Sequence, residues 1–291
     1  TGYNRQWAND GKLTNKGYEI TITPEILRKK DLYWDISFNV GYNKNEITYM
    51  PNGDDLATSQ AIAVGYPYQN WYMKEWAGVD AMTGTPLWFK VDENGQKTVT
   101  GDWNSATRVL QDASASPKYT GGLSTNFSWK GLSLNANFIF SAGAKIYNGM
   151  RAGSLDRDAT RPTQPPMKLA DGWSRWEKPG DRATHPQLLR GGNNSADSES
   201  TRYLENGDYF KLKSLSVSYN LPERWIKPIG LKTARISVGG ENLFTITKFS
   251  GNDPEVLLSS RFNGTTSVQD GSGTQLYPSV RRFTLGINLN F

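Results

Sequence analysis

Across the last twelve residues, 280–291, every second position is apolar: Phe283, Leu285, Ile287, Leu289 and Phe291. Arg282, Thr284, Gly286, Asn288 and Asn290 fill the places between them. Side chains of a strand point to opposite faces with period two, so this segment predicts a strand with one greasy and one polar face. The same rule organises residues 132–146, where Leu132, Leu134, Ala136, Phe138, Phe140, Ala142, Ala144 and Ile146 alternate with Ser133, Asn135, Asn137, Ser141, Gly143 and Lys145. Ile139 is the exception on the polar side. Residues 32–42, Tyr119–Trp129 and 234–246 repeat the pattern, and 18–26 and 209–221 follow it less cleanly.

These stretches run to about 9–15 residues, the length of a tilted strand crossing a bilayer and about twice an ordinary globular strand. The predicted fold is therefore all-β, a transmembrane antiparallel β-barrel. Composition agrees. Only 36% of residues are hydrophobic and 12% are aromatic, and the mean hydropathy of −0.62 suits no bundle of membrane helices. A barrel needs apolar residues only at alternate positions. Ten tryptophans argue against a disordered polar chain.

The connections are unequal. Lys130-Gly131 predicts a tight turn, and Pro222 and Pro228 mark a compact link over 221–232. Residues 147–206 and 248–279 are long, polar and rich in Gly, Pro, Ser and Asn. With Phe291 placed at the periplasmic end, the last five strands put long loops outside and short turns inside. The short turn at 28–31 then falls on the wrong side if eight strands alternate. One more pass within 78–111, such as Pro86–Val91, restores the order, so the expected count is eight or nine.

The net charge of +5 is dispersed, without the basic stripe of a nucleic-acid-binding protein. Cysteine is absent, which excludes disulfides and thiol chemistry. Gly121-Gly122 and Gly239-Gly240 precede no helical pattern and read as places of strand bending or close backbone approach rather than phosphate loops. Asp92-Glu93-Asn94-Gly95-Gln96 lacks the glycine and closing glutamate of a calcium loop and reads as a hairpin turn. His185 is the sole histidine, and no nucleophile beside it is evident, so neither an enzyme nor a cofactor or metal is expected. Asp253-Pro254-Glu255 reads as a structural loop rather than a catalytic carboxylate pair. The chain starts Thr1-Gly2-Tyr3 without initiator methionine or signal peptide, the expectation for a processed chain or a fragment.

A strand that alternates and ends on phenylalanine resembles the C-terminal strand of bacterial outer-membrane barrels, in which it forms part of the assembly signal; here Phe283, Leu285, Ile287, Leu289 and Phe291 would carry it. Six further blocks, in order, resemble the C-terminal third of SusC/RagA-type TonB-dependent transporters. They are Lys16-Gly17-Tyr18-Glu19, Trp76-Ala77-Gly78-Val79-Asp80 with Thr83-Gly84 and Pro86, and Pro117-Lys118-Tyr119-Thr120-Gly121-Gly122. The others are Tyr203 to Lys213 with Tyr219-Asn220-Leu221-Pro222, Gly240-Glu241-Asn242-Leu243-Phe244 with Gly251 and Asp253-Pro254-Glu255, and Tyr277-Pro278 before the last strand. The resemblance implies that residues 1–291 are the C-terminal part of a 22-stranded barrel whose plug and earlier strands lie outside this sequence.

It further implies the outer membrane of a Gram-negative bacterium, TonB-driven import of a large nutrient, and a SusD-type surface lipoprotein acting as lid. The implied partners are that lipoprotein, the TonB complex acting through the absent N-terminal part, the rest of the same barrel, and outer-membrane lipid. An oligosaccharide is the first cargo expected, with a peptide, as in RagA-type systems, as the alternative. A self-contained small barrel for adhesion or structure is the alternative of another class. On this reading Asn135, Asn137, Ser216, Ser218, Arg235 and Glu241 line the lumen, while Trp129 and Tyr219 sit in an interfacial girdle. Trp88, Trp103, Trp173 and Trp176 lie in polar stretches and are candidates to stack on ligand, with packing inside large loops as the competing role.

Overall fold

The computed structural model describes residues 11–156, 169–189, 192, 194–259 and 278–291. The Tyr277 of the last motif and the first ten residues lie outside them. Strand β1 (Lys12–Ile22) and the short β2 (Glu25–Lys29) both pair with β3 (Leu32–Tyr49), β1 along its second half and β2 along its first. They are one line of chain interrupted at Thr23-Pro24. Pro24 has no N–H for the ladder, and its carbonyl instead accepts from Ile36 N.

The chain then leaves this sheet. Within residues 50–118, β4 (Gln60–Ala61), β5 (Asn70–Lys74) and the later β9 form one three-stranded sheet, and β6 (Trp76–Val79), β7 (Pro86–Val91) and β8 (Lys97–Thr100) form another. After β9 (Arg108–Ser114), β10 (Tyr119–Trp129) returns to lie against β3 and turns directly into β11 (Leu132–Ala142). Lys130 and Gly131 both have positive φ, 45° and 89°, the backbone of a two-residue hairpin whose twist matches its strands. A second excursion carries β12 (Lys145–Tyr147) and β13 (Leu204–Asn206), which pair with each other. β14 (Tyr209–Asn220), the helical turn α1 (Glu223–Ile226) and β15 (Thr233–Thr247) follow, then α2 (Pro254–Ser259) and β16 (Arg282–Asn290).

The large sheet has eight strands along the path β1-β3-β10-β11-β14-β15-β16, with β2 beside β3. All its pairings are antiparallel. Because β1 and β2 share a line, eight strands make seven crossings. Seven removes the conflict at the 28–31 turn: every short connection now falls at one end and every long one at the other. The extra pass expected at Pro86–Val91 is corrected. That segment is β7, which pairs with β6 and β8 and never with the large sheet. Residues 132–146 likewise divide, because Gly143, with φ 88°, ends β11 before Lys145 starts the loop-borne β12.

Register makes the two faces continuous. Ile22, Phe38, Leu123, Phe138 and Leu212 lie in one row. Leu134, Val217, Val238 and Leu285 lie in another. The opposite face carries Ser37, Ser124, Asn137, Ser214, Glu241 and Arg282 side by side. Bulges at Lys213 in β14 and at Asn242 (φ 52°) in β15 shift register without exchanging these faces. The apolar face is largely uncovered: Ile246, Phe283, Leu285 and Ile287 are each more than half exposed. Asp35, Ser141, Lys211 and Ser218, on the polar face, are buried. A globular sheet does the reverse, and this inversion is what a membrane-facing wall requires.

The apolar band has marked edges. At the long-loop end Tyr18, Tyr42 and Tyr119 form a ladder with ring centroids 5.3 and 5.0 Å apart. At the short-turn end Trp129 is exposed, and Lys130 Nζ stands 5.6 Å from its ring. The ten steps from Tyr119 to Trp129, at about 3.4 Å each, span about 25 Å once a strand tilt of about 45° is allowed for. No helix among the described residues is long and apolar enough to cross a membrane, so any crossing is made by strands.

Candidate ligand path: the polar face and the loop layer

The polar face is built of short amides and hydroxyls that hold one another. Asn126 Nδ2 donates to Asp35 Oδ1 at 2.9 Å, Asn137 Nδ2 to Ser214 Oγ at 2.9 Å, and Arg235 to Ser218 Oγ at 2.6 Å. Arg282 pairs with Glu241 across the last two strands at 3.4 Å, both side chains more than half exposed. Asn135, Asn137, Ser216, Ser218, Arg235 and Glu241 therefore share this one face. Gly121 lies beneath the Phe140 ring, whose Cζ would stand 2.7 Å from a Cβ placed there, the close approach anticipated for the glycine pair.

At the long-loop end the wall supports a layer with a conventional interior. Trp71, Met73 and Ala115 are buried with Ala113, Tyr147 and Leu204 packed on them. Trp71 Nε1 donates to Lys145 O, which ties the first excursion to the second. The hairpin expected at Asn94-Gly95 joins β7 to β8, its Asp92 carboxylate accepting from the N–H groups of Asn94 and Gln96.

The four candidate tryptophans all belong to this layer, engaged with protein. Trp88 is fully buried against the edge of Trp76, centroids 5.7 Å apart, so it has no face for a ligand and its candidacy is corrected. Trp176 donates Nε1–H to Ala81 O, and its ring fills the place of a side chain at Gly84. Trp103 carries Lys74 Nζ 3.6 Å from its ring centroid and donates to Glu199 O. Trp173 lies 5.0 Å from the His185 ring and 4.2 Å from the Arg151 guanidinium.

Arg151 leads to a charged centre the sequence did not disclose. The Asp156 carboxylate is wholly buried, with Arg151 Nε at 3.1 Å, an Arg202 nitrogen at 3.4 Å and His185 Nε2 at 3.6 Å. Burial alone would raise its pKa, yet the adjacent His185 ring and the two guanidinium charges hold it below the usual carboxylate range. His185 titrates below an ordinary histidine, chiefly through burial. Its Nδ1 faces Thr184 Oγ1 at 2.9 Å, but that hydroxyl is already engaged with Ser174 O. Arg202 also donates to Ala196 O and lies over the Trp76 and Tyr203 rings. The centre thus pins three loop segments together. Burial raises the Tyr147 and Tyr203 hydroxyls well above their ordinary range, keeping both neutral.

A second charged group holds the last loop to the wall. Lys211, on the polar face of β14, is buried and donates to Asp253 Oδ2 at 3.0 Å and to Glu255, which also receives Lys213. The Asp253-Pro254-Glu255 motif is a structural clamp. The alternation of 209–221 concealed Lys211 as one more polar-face residue, and no spacing joins it to Asp253 and Glu255 some forty residues on.

Between wall and layer lies a pocket of about 390 Å³. It opens where β3 continues past the start of β10, and Asn43, Asn45, Asp112, Lys118, Lys145 and Asp208 are among its lining. Asp208 Oδ1 accepts from Gly143 N and fixes the far rim.

No family model matches the chain. Among characterised proteins it is similar over its full length to TonB-dependent receptor P3 of Formosa agariphila, 29% identical, of which it covers 30%. TonB-dependent receptor SusC of Bacteroides thetaiotaomicron is 25% identical, again over the whole chain and 28% of the relative. The structure of the RagAB peptide transporter superimposes with a TM-score of 0.79 at 30% identity, covering all of this chain and 31% of that one. The same importer in its open-open state gives 0.74 at 28% identity, covering 97% of this chain and 29% of that one. The chain thus spans about a third of the length of the relatives it matches.

Proposed function

The chain is a segment of a SusC/RagA-type TonB-dependent transporter, and from that premise we propose that residues 1–291 form the C-terminal stretch of its barrel and serve TonB-driven import of a large nutrient across the outer membrane. The observation that carries this reading is the inverted wall: seven crossings with an apolar face left uncovered and a hydrogen-bonded polar face behind it. On it, Asn135, Asn137, Ser216, Ser218, Arg235 and Glu241 line the lumen and the apolar rows meet lipid. The path of the large sheet begins at β1 and ends at β16, and these do not pair with each other among the described residues. That favours continuation into further strands of one barrel over a self-contained small one. The plug, the TonB contact and the surface-lipoprotein lid belong to this proposal.

For cargo, the oligosaccharide reading drew its residues from four tryptophans, and each is engaged in the loop layer. The pocket at the rim instead combines lysine, aspartate and asparagine side chains, groups that match the two charges and repeating amides of a peptide. A peptide is therefore the cargo this geometry supports better. The intact transporter with its lipoprotein should retain material from a mixed peptide pool and release it when Lys118 and Lys145 are changed together to Gln. Retention of oligosaccharides alone would reverse the assignment. Absence of any uptake defect in cells lacking the transporter would remove the import reading.

A further inference from the structure

The connection between β14 and β15 does not hang below the wall; it folds up onto the wall's apolar side. Leu221 continues the face of Tyr219, Ala234 begins the face of Ile236, and Leu221 N donates to Ala234 O at 2.9 Å. Pro222 then opens α1, a 3-10 turn Lys227–Ile229 extends it, and Gly230 with φ 79° ends it. Ile226 and Leu231 are buried on Ala234 and Leu221. Since Ala234 and Leu221 belong to the apolar face, the helical turn is packed against that face at its short-turn end.

Successive helical residues point about 100° apart, so with Ile226 turned in, its neighbours turn away. Trp225 is 54% and Ile229 68% exposed. Arg224, Lys227 and Lys232 are exposed beside them, against Glu223 as the only acid of residues 221–232. An exposed Trp with a branched aliphatic, ringed by cations and continuous with an uncovered apolar wall, has the composition of a membrane-interface anchor.

We propose that this foot seats Trp225 and Ile229 at the boundary between acyl chains and headgroups in the periplasmic leaflet of the outer membrane, with Arg224, Lys227 and Lys232 on the phosphates of anionic phospholipid. The inference rests on the reading of the apolar face as lipid-facing. It adds a surface outside the strands that fixes the depth of the barrel from below.

Spin labels on the full-length transporter test it. Cysteines replace Trp225, Ile229, Glu223 or Ile287 one at a time, any cysteine elsewhere in the full-length chain being first changed to serine, and the protein is reconstituted in vesicles of phosphatidylethanolamine and phosphatidylglycerol. Labels at 225 and 229 should collide more with oxygen than with an aqueous nickel chelate, as should the strand position 287, and 223 should show the opposite preference. Chelate-favoured collisions at 225 and 229 with 287 oxygen-favoured would overturn the anchor and leave the wall standing. Protection of 225 and 229 from both reagents would also overturn it, since protein rather than lipid would then cover them. A chelate-favoured 287 would overturn the wall and the anchor together. Replacing both lipids by phosphatidylcholine should shift 225 toward the chelate and leave 287 unchanged; no shift would remove the anionic component.

Discussion

The wall and the loop layer obey opposite rules of burial within one chain. In the loop layer Trp71, Met73, Trp88, Ile146 and Tyr203 are almost wholly enclosed by other side chains. In the wall the largest apolar side chains of β16 face outward, and the enclosed groups include the polar Asp35, Ser141, Lys211 and Ser218. Both arrangements follow from one requirement, that apolar surface leave water and that polar groups find partners. The layer satisfies it with a protein interior, whereas the wall needs lipid. Sequence composition averages the two into a chain that looks soluble, and only the register of the strands separates them.

The largest expected effect breaks the layer while sparing the wall. Trp71 is buried, donates to Lys145 O and lies 6.2 Å from the Tyr147 ring. Trp71→Ala should cost about 3–5 kcal/mol of local stability. Protease added outside intact cells should then cut the layer while the barrel keeps its folded mobility on an unheated gel. Loss of the barrel as well would mean that the two regions fold as one unit.

A slightly smaller effect runs the other way. Phe138 stacks on Phe210 at 5.3 Å on the apolar face, and its neighbour Asn137 lies on the polar face. Phe138→Arg should cost about 2–4 kcal/mol if that face meets the bilayer and should deplete the assembled transporter. Asn137→Arg should leave assembly intact and alter transport. Equal tolerance of the two changes would contradict the assignment of faces. Deletion of Phe291 should also impair assembly, as expected of a terminal signal strand.

These contrasts define what could be read from the residues. Alternation marked nearly every crossing because a wall has no other way to be apolar on one side. It failed where one strand's line is broken by Pro24 and where a short β7 imitates a crossing with two flanking strands of its own. The burial of Trp88 escaped the sequence for a related reason. Polar neighbours in sequence say nothing about whether separate segments meet in space, and Trp88 is covered by residues such as Trp76 that arrive from another strand. Asp156, Arg202 and His185 were invisible as a centre because they are scattered over forty-odd residues of loop; no spacing rule joins them.

Acid should separate the two regions more gently. The buried His185 is held below its ordinary pKa of 6.5, so its contribution is complete above that value and declines as pH falls, when the unfolded loop takes up a proton that the folded one refuses. Asp156 is held below 3.8, so its contribution persists above that pH and is lost only as pH falls through its lowered pKa. Protease resistance of the layer should therefore decline below about pH 6.5 and again below about pH 3.8. Asp156→Asn should weaken resistance at neutral pH and flatten the second decline. An unchanged profile would show that the centre does not hold the layer together.

The smallest effect is expected on the wall's polar face. Glu241 and Arg282 approach to 3.4 Å with both side chains more than half exposed, a geometry in which water screens most of the attraction. A double-mutant cycle through Glu241→Gln and Arg282→Gln should give a coupling below about 1 kcal/mol, with assembly unchanged. Weak coupling is what a solvated lumen predicts, because each charge is then stabilised by water and has little need of its partner. If this face were instead packed against protein or turned toward lipid, removing one partner would leave the other stranded and the coupling would rise to several kcal/mol. The same pair that contributes least to stability thus reports most directly on whether water stands behind the wall.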